Sequence, residues 1–243
     1  MRLIFIRHGD PDYSIDSLTE KGWREAELLS KRVCAWNVDK FYCSPLGRAK
    51  DTASCTLKKL NRSATEYRFL REFEGHVLNP ATGYDHICWD FMPDYWTEME
   101  DMYDRDSWAL SDLMKTSTND INKEWTDVCT GIDGILEEFG YIRENRYYRV
   151  DESNPKKDST VVIFCHFGVT MVMMSHLLGI SAPVMLHGFF LPPTSVTILN
   201  TEERVPGTAY FRCQVMGDVT HLRVGHEPAS ASGYFAEIMQ ENM

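Results

Sequence analysis

No apolar run in these 243 residues approaches the length needed to cross a bilayer as a helix. Basic residues are also short: 25 Lys and Arg stand against 36 Asp and Glu, a net charge of −11. Nucleic acid and anionic membrane both require a basic face, so neither is expected as a partner, and any anion site must be a local positive island. The seven cysteines are odd in number and include no Cys-x-x-Cys pair, which points to reduced, partly buried thiols rather than a disulfide framework. Cys165 adjoins His166, but neighbours on a strand point to opposite faces, so that cysteine is read as packing. There is no internal repeat, no low-complexity segment and no charged leader before an apolar segment, and Met1 is expected to be a mature, cytoplasmic N-terminus. The sequence sets no oligomeric state.

At 43% hydrophobic and 25% charged, the chain has the composition of a soluble globular protein. Its length suits one α/β domain, 1–243, carrying an insertion.

Leu3 to Ile6 is an apolar, β-prone run that ends in Arg7, His8 and Gly9. Such a run suits an inner strand of an α/β sheet, whose carboxyl end is where ligands bind. Arg offers a planar fork to an oxyanion, His serves as nucleophile or proton carrier, and Gly permits a tight turn.

A short polar loop, Asp10 to Ser17, leads to a helix with Thr19 as N-cap and Trp23, Ala26, Leu29 and Val33 on its inner face. Phe41–Cys43 reads as a strand, followed by a helix with Ser44 at the cap and Pro45 in its first turn, placing Arg48 near its start. Residues 66–70 read as a third strand that ends before Glu72 and Glu74. Residues 76–123 are irregular, acidic and aromatic, and read as an inserted cap whose rings either line a pocket or pack together. A helix is expected over 124–144, a surface connection or hairpin over 145–159, a strand over 160–165 ending in His166, and an apolar helix over 168–178. Residues 194–199 and 208–215 should form a β pair, with peripheral helix beyond His226.

Arg7, His8, Arg48, Glu72 and His166 are thus expected at four strand ends that an alternating β/α order brings to one crevice. In this the chain resembles the histidine phosphatase superfamily, its phosphoglycerate-mutase-like branch. The resemblance covers roughly 1–75 and 124–222 and rests on ordered pieces. These are Arg7-His8-Gly9, Leu18-Thr19-Glu20-Lys21-Gly22, Ser44-Pro45 with Arg48-Ala49 and Thr52-Ala53, Leu70-Arg71-Glu72, the strand before His166, and Gly217 to Leu222.

The resemblance implies a three-layer α/β/α sandwich with a mostly parallel central sheet, and a metal-independent phosphatase without cofactor that hydrolyses a small phosphomonoester. His8 would form a phosphohistidine, Arg7, Arg48 and His166 would hold the phosphoryl oxygens, and Glu72 would protonate the leaving group. Glu74 stands as the rival acid. Two other readings share the fold, a phosphoglycerate-type mutase and a degenerate member that binds phosphorylated ligands without turnover. The short Asp10–Ser17 loop favours hydrolysis over mutase chemistry, and Phe167 stands where many members have a small residue. His187 and His221 are read as structural.

Overall fold

The structure is a computed structural model that describes residues 1–80 and 82–234. In chain order, β1 (Arg2–Arg7) leads to a two-residue pair, β2 (Pro11–Asp12) and β3 (Ser17–Leu18), then α1 (Glu20–Val33), β4 (Lys40–Cys43), α2 (Gly47–Leu60) and β5 (Thr65–Glu66). A small hairpin, β6 (His76–Leu78) and β7 (Asp85–Ile87), precedes α3 (Pro93–Trp96), three 3₁₀ turns and α4 (Ile121–Glu137). The remainder is β8 (Tyr141–Glu144), β9 (Tyr147–Val150), β10 (Thr160–Cys165), α5 (Phe167–Leu178), α6 (Ala182–Gly188), β11 (Val196–Val205), β12 (Thr208–Asp218) and α7 (Thr220–Val224).

Eight strands form one sheet in the order β5-β4-β10-β1-β11-β12-β9-β8. The first four are parallel and carry the strand ends of interest, while β11 to β8 add antiparallel neighbours. Alternation along each inner strand divides the core into two layers. Ile4, Ile6, Phe41, Val162 and Phe164 face Leu29 and Val33 of α1 and Ala49 and Ala53 of α2. Leu3, Phe5, Tyr42, Val161 and Ile163 face the opposite layer, with α4 and α5. Nearly the whole of α5 is apolar because it is covered on most sides. The architecture is the α/β sandwich expected from the sequence, and among the described residues no helix is long and apolar enough to cross a membrane.

Several local expectations are corrected. Residues 66–70 do not make a strand: β5 stops at Glu66, and Arg68–Leu70 is a 3₁₀ turn in which Tyr67 stacks on Tyr42 and Phe69 rather than alternating across a sheet. The long helix is 121–137 rather than 124–144. Gly140 at φ 85 reverses the chain there, and 141–144 is β8, paired with β9 to give the hairpin anticipated within 145–159. Trp23 is 39% exposed instead of inward. β11 begins at Val196 rather than Thr194, and β12 runs on to Asp218. Residues 227–234 contain no helix, and the rest of the tail, 235–243, lies outside the described residues.

Thr19 caps α1 as expected, its hydroxyl accepting from Gly22 N–H. Gly22 lets the loop after Gly9 lie on this helix, since a Cβ there would stand 2.2 Å from Asp10 O. Beneath the loop, Glu25 is fully buried and accepts Asp10 N–H at 2.8 Å, with Lys21 Nζ 3.4 Å away. Burial raises the Glu25 pKa from 4.5 to about 7. Between those values the folded state holds a proton that the unfolded chain releases, so stability falls as pH rises through that window, by about 3 kcal/mol from this group. Urea unfolding at pH 5 and pH 8 should show that slope in the wild type and a clearly shallower one in Glu25→Gln; equal slopes would mean that Glu25 titrates normally.

Candidate active site

β1 and β10 are parallel neighbours with Arg7 opposite Cys165, so the residues that follow them, His8 and His166, emerge side by side with ring centroids 5.2 Å apart. The backbone of His8 is held on both sides: its N–H donates to Cys165 O at 3.0 Å, and its C=O accepts from Thr194 N–H at 3.0 Å. Gly9 N–H donates to Thr52 Oγ1 at 2.9 Å, tying the same turn to α2. The His8 Nδ1 lies 2.7 Å from Gly9 O, an acceptor, so Nδ1 carries the proton and Nε2 carries the lone pair. Burial, followed by the Arg7 charge, pushes the His8 pKa well below its usual range and keeps the ring neutral.

Arg48 is the second residue of α2, not a strand-end residue, and Ser44 does not cap that helix. The N-cap is Leu46, because the Ser44 hydroxyl is committed elsewhere. Ser44 Oγ accepts Leu46 N–H at 3.2 Å and lies 2.7 Å from His166 Nε2. Burial and then His8 lower the His166 pKa well below normal. His166 is fully buried, His8 is 2% exposed, Arg7 5% and Arg48 7%.

Arg7 Nη1 donates to Leu191 O at 2.6 Å and Nη2 to Ser232 O at 3.1 Å, and its guanidinium lies against both the Phe167 and Phe190 rings, 5.9 and 5.7 Å from their centroids. Arg48 Nη1 is paired with Asp16 Oδ1 at 2.6 Å, and Asp16 also accepts Gly47 N–H. Among the described residues, three buried nitrogens of this group have no hydrogen-bond partner: Arg7 Nε, Arg48 Nε and His166 Nδ1. An unpaired buried polar group costs about 1–3 kcal/mol, so three in one cluster mark a place built for a polar ligand.

Glu72 follows the 3₁₀ turn rather than a strand. Its Oε1 accepts Phe73 N–H at 2.9 Å and Val169 N–H at 3.0 Å, which sets the carboxyl against the start of α5, next to His166. Only glycine at 168 permits this approach, since a Cβ there would stand 2.8 Å from Glu72 Oε1. Burial, partly offset by these two amides, raises the Glu72 pKa. Glu74 is exposed. A cavity of about 720 Å³ opens beside Glu72, lined also by Arg68, Phe69, Arg71, Phe73 and Lys123; His8, His166, Arg7 and Arg48 do not line it. The cluster therefore holds a neutral imidazole with a free lone pair, two guanidiniums, a second imidazole whose Nδ1 has no partner, and a carboxyl whose pKa burial raises.

Residues 3–117, which include Arg7, His8, Arg48 and Glu72, match the histidine phosphatase superfamily (branch 1). A curated relative, the 2,3-bisphosphoglycerate-dependent phosphoglycerate mutase of Thermoplasma acidophilum, is 33% identical over 78 residues, 28% of this chain and only 39% of that relative. Among solved structures, a mutant phosphoserine phosphatase of Entamoeba histolytica in complex with phosphoserine superposes with a TM-score of 0.59 at 18% identity, covering 91% of this chain and 98% of that one. The alpha-ribazole phosphatase of Shigella flexneri gives 0.58 at 19% identity, covering 90% and 97%. At such identities these likenesses show the fold alone.

The five residues singled out in the sequence lie in one cluster or directly against it. Sequence reasoning missed Asp16, Gly168 and Thr194, and it misplaced Ser44. The signal for Gly168 was present in His166-Phe167-Gly168, where a helix opens on the one residue without a Cβ. Of the aromatic residues within 76–123, Trp108 is wholly buried against Phe73 and Trp125, whereas Trp89 lies on Phe167 beside Arg7. His187 is structural as expected: it accepts Phe91 N–H and stacks on Trp96.

Proposed function

We propose that this chain is a member of the histidine phosphatase superfamily and a phosphatase that hydrolyses a small phosphomonoester through a phosphohistidine at His8, without metal or cofactor. The observation that carries the reading is the set of three unpaired buried nitrogens, Arg7 Nε, Arg48 Nε and His166 Nδ1, around an imidazole whose lone pair is on Nε2. With the His166 proton on Nδ1 they are three donors, matching the three non-bridging oxygens of a phosphoryl group, where charge is stabilised in its transfer. Nε2 of His8 attacks phosphorus and forms the P–N bond as the P–O bond to the leaving group breaks, and Glu72 gives its proton to the departing oxygen. Water then attacks phosphorus while the Glu72 carboxylate takes its proton, and the P–N electron pair returns to His8.

In this reading residues 1–243 form one domain, and 76–123 are its inserted cap, reaching the site through Trp89. Seven free thiols fit a reducing, cytoplasmic setting. Neither nucleic acid nor membrane is a partner. Turnover rather than mere binding of phosphorylated ligands is supported by the full set of two arginines and two histidines.

The mutase reading has the Thermoplasma relative in its favour. Against it, Asp10–Ser17 is short, and its Asp16 is spent on Arg48 and Gly47 rather than left to grip a second part of a substrate. With 3-phosphoglycerate and a 2,3-bisphosphoglycerate primer, phosphate release is expected to exceed isomerisation at least tenfold, measured by ³¹P NMR. Faster isomerisation would make the chain a mutase. A panel of phosphomonoesters, phosphoserine included, would then rank leaving groups.

A further inference from the structure

The motif Gly217 to Leu222 has no part in the chemistry above, yet it ends on a buried histidine that connects to the nucleophile's backbone. Thr194 and Ser195 clasp the Arg7-His8 dipeptide: Arg7 N–H donates to Ser195 O at 3.3 Å, and Thr194 N–H donates to His8 O at 3.0 Å. To make that bond Thr194, which is fully buried, adopts φ 58. That is the left-handed region, and a β-branched residue is crowded there and persists only where its surroundings hold it. Its own hydroxyl provides the hold. Thr194 Oγ1 donates to Pro193 O at 2.7 Å, so its 3.1 Å contact with His221 Nε2 is a bond that the imidazole donates. His221 Nδ1 faces Arg32 Nη1 at 3.5 Å, a donor, and Arg32 is itself paired with Asp218. Both ring nitrogens are thereby assigned, and burial followed by the Arg32 charge lowers the His221 pKa to about 4, so the ring stays neutral.

We propose that His221 is a positioning residue: through the Thr194 hydroxyl it holds a strained backbone N–H on the carbonyl of His8 and so fixes where the His8 ring points. This rests on His8 being the nucleophile. His221 touches none of the reacting groups, and its effect runs through Thr194 alone.

The test uses the full chain and p-nitrophenyl phosphate. His221→Ala should lower kcat by about 10²-fold, the scale of a small misplacement at a reacting centre, with KM within twofold. His221→Gln, which can place an N–H near the same spot, should recover most of that loss. Thr194→Gly accepts φ 58 without a side chain and should lose less than tenfold, and adding His221→Ala to it should change kcat no further. Full kcat in folded His221→Ala, or multiplying effects in the double variant, would overturn the proposal. Should His221→Ala not fold, the Gln and Gly variants decide it. ¹⁵N NMR of the His8 ring, assigned by its loss in His8→Ala, gives a readout independent of turnover. His221→Ala should shift it and His221→Gln restore it, even if the wild type proved inactive and the phosphatase reading failed; an unmoved ring signal would overturn the positioning role.

Discussion

Replacing His8 with alanine is expected to cut phosphate release from p-nitrophenyl phosphate by about 10⁴-fold or more, the scale seen when a covalent nucleophile is removed. The loss should come without unfolding. What holds residue 8 is its main chain, bonded to Cys165 O and Thr194 N–H, and the alanine backbone keeps both bonds. The removed ring is a desolvated imidazole whose charged form burial already disfavours, so no paired charge is broken. A melting temperature near that of the wild type, with turnover lost, would therefore assign the defect to chemistry. Turnover that persisted unchanged would show that water attacks the ester directly and that His8 is only part of the phosphate cradle.

The second large effect is expected at Glu72. Glu72→Gln keeps an oxygen for the Phe73 and Val169 amides, so the side chain should stay in place, but it removes the transferable proton. Poor leaving groups need that proton most. Alkyl phosphates should slow by ~10²–10⁴-fold, the usual span of general acid–base catalysis, and p-nitrophenyl phosphate, whose leaving group departs unaided, by about tenfold. The same group should set the alkaline limb of kcat/KM. Because burial raises the Glu72 pKa, the acid form survives above the ordinary carboxyl range, and activity falls as pH rises through that raised value. The acid limb belongs to His8, whose lowered pKa keeps the lone pair free below the ordinary histidine range. In Glu72→Gln the alkaline limb should disappear while the acid limb remains. Equal losses on alkyl and aryl esters would point to another donor, with Glu74 the next candidate.

These groups were legible in the sequence to different degrees. Arg7, His8 and His166 stood out because a strand buried on both faces leaves no apolar reason for a basic ending. Two such strands that pair in parallel must place their endings side by side. Glu72 was legible only through its neighbours in the motif, since nothing in 66–72 indicated that β5 would end at Glu66 and give way to a 3₁₀ turn. The overlong helix has a similar cause: Ile135, Leu136, Phe139 and Tyr141 continue an apolar pattern past the true end, and the reversal depends on one glycine at positive φ. Ser44 was read as a cap because a serine followed by a proline at a helix start looks like one. Its hydroxyl instead hydrogen-bonds the ring of a histidine 122 positions away, a contact no local pattern encodes. Thr194 was illegible for the same reason, its φ being dictated by His8 and His221.

The central claim is that phosphorus passes through His8. It is tested most directly by mixing enzyme with excess p-nitrophenyl phosphate, quenching within a turnover under alkaline conditions that preserve a phosphoramidate, and reading intact and peptide mass. The expected result is one added phosphoryl group on the peptide containing His8, lost on brief acid treatment and absent from His8→Ala. A wild-type enzyme that turns over with no phosphoryl adduct, or with one on another residue, would contradict it.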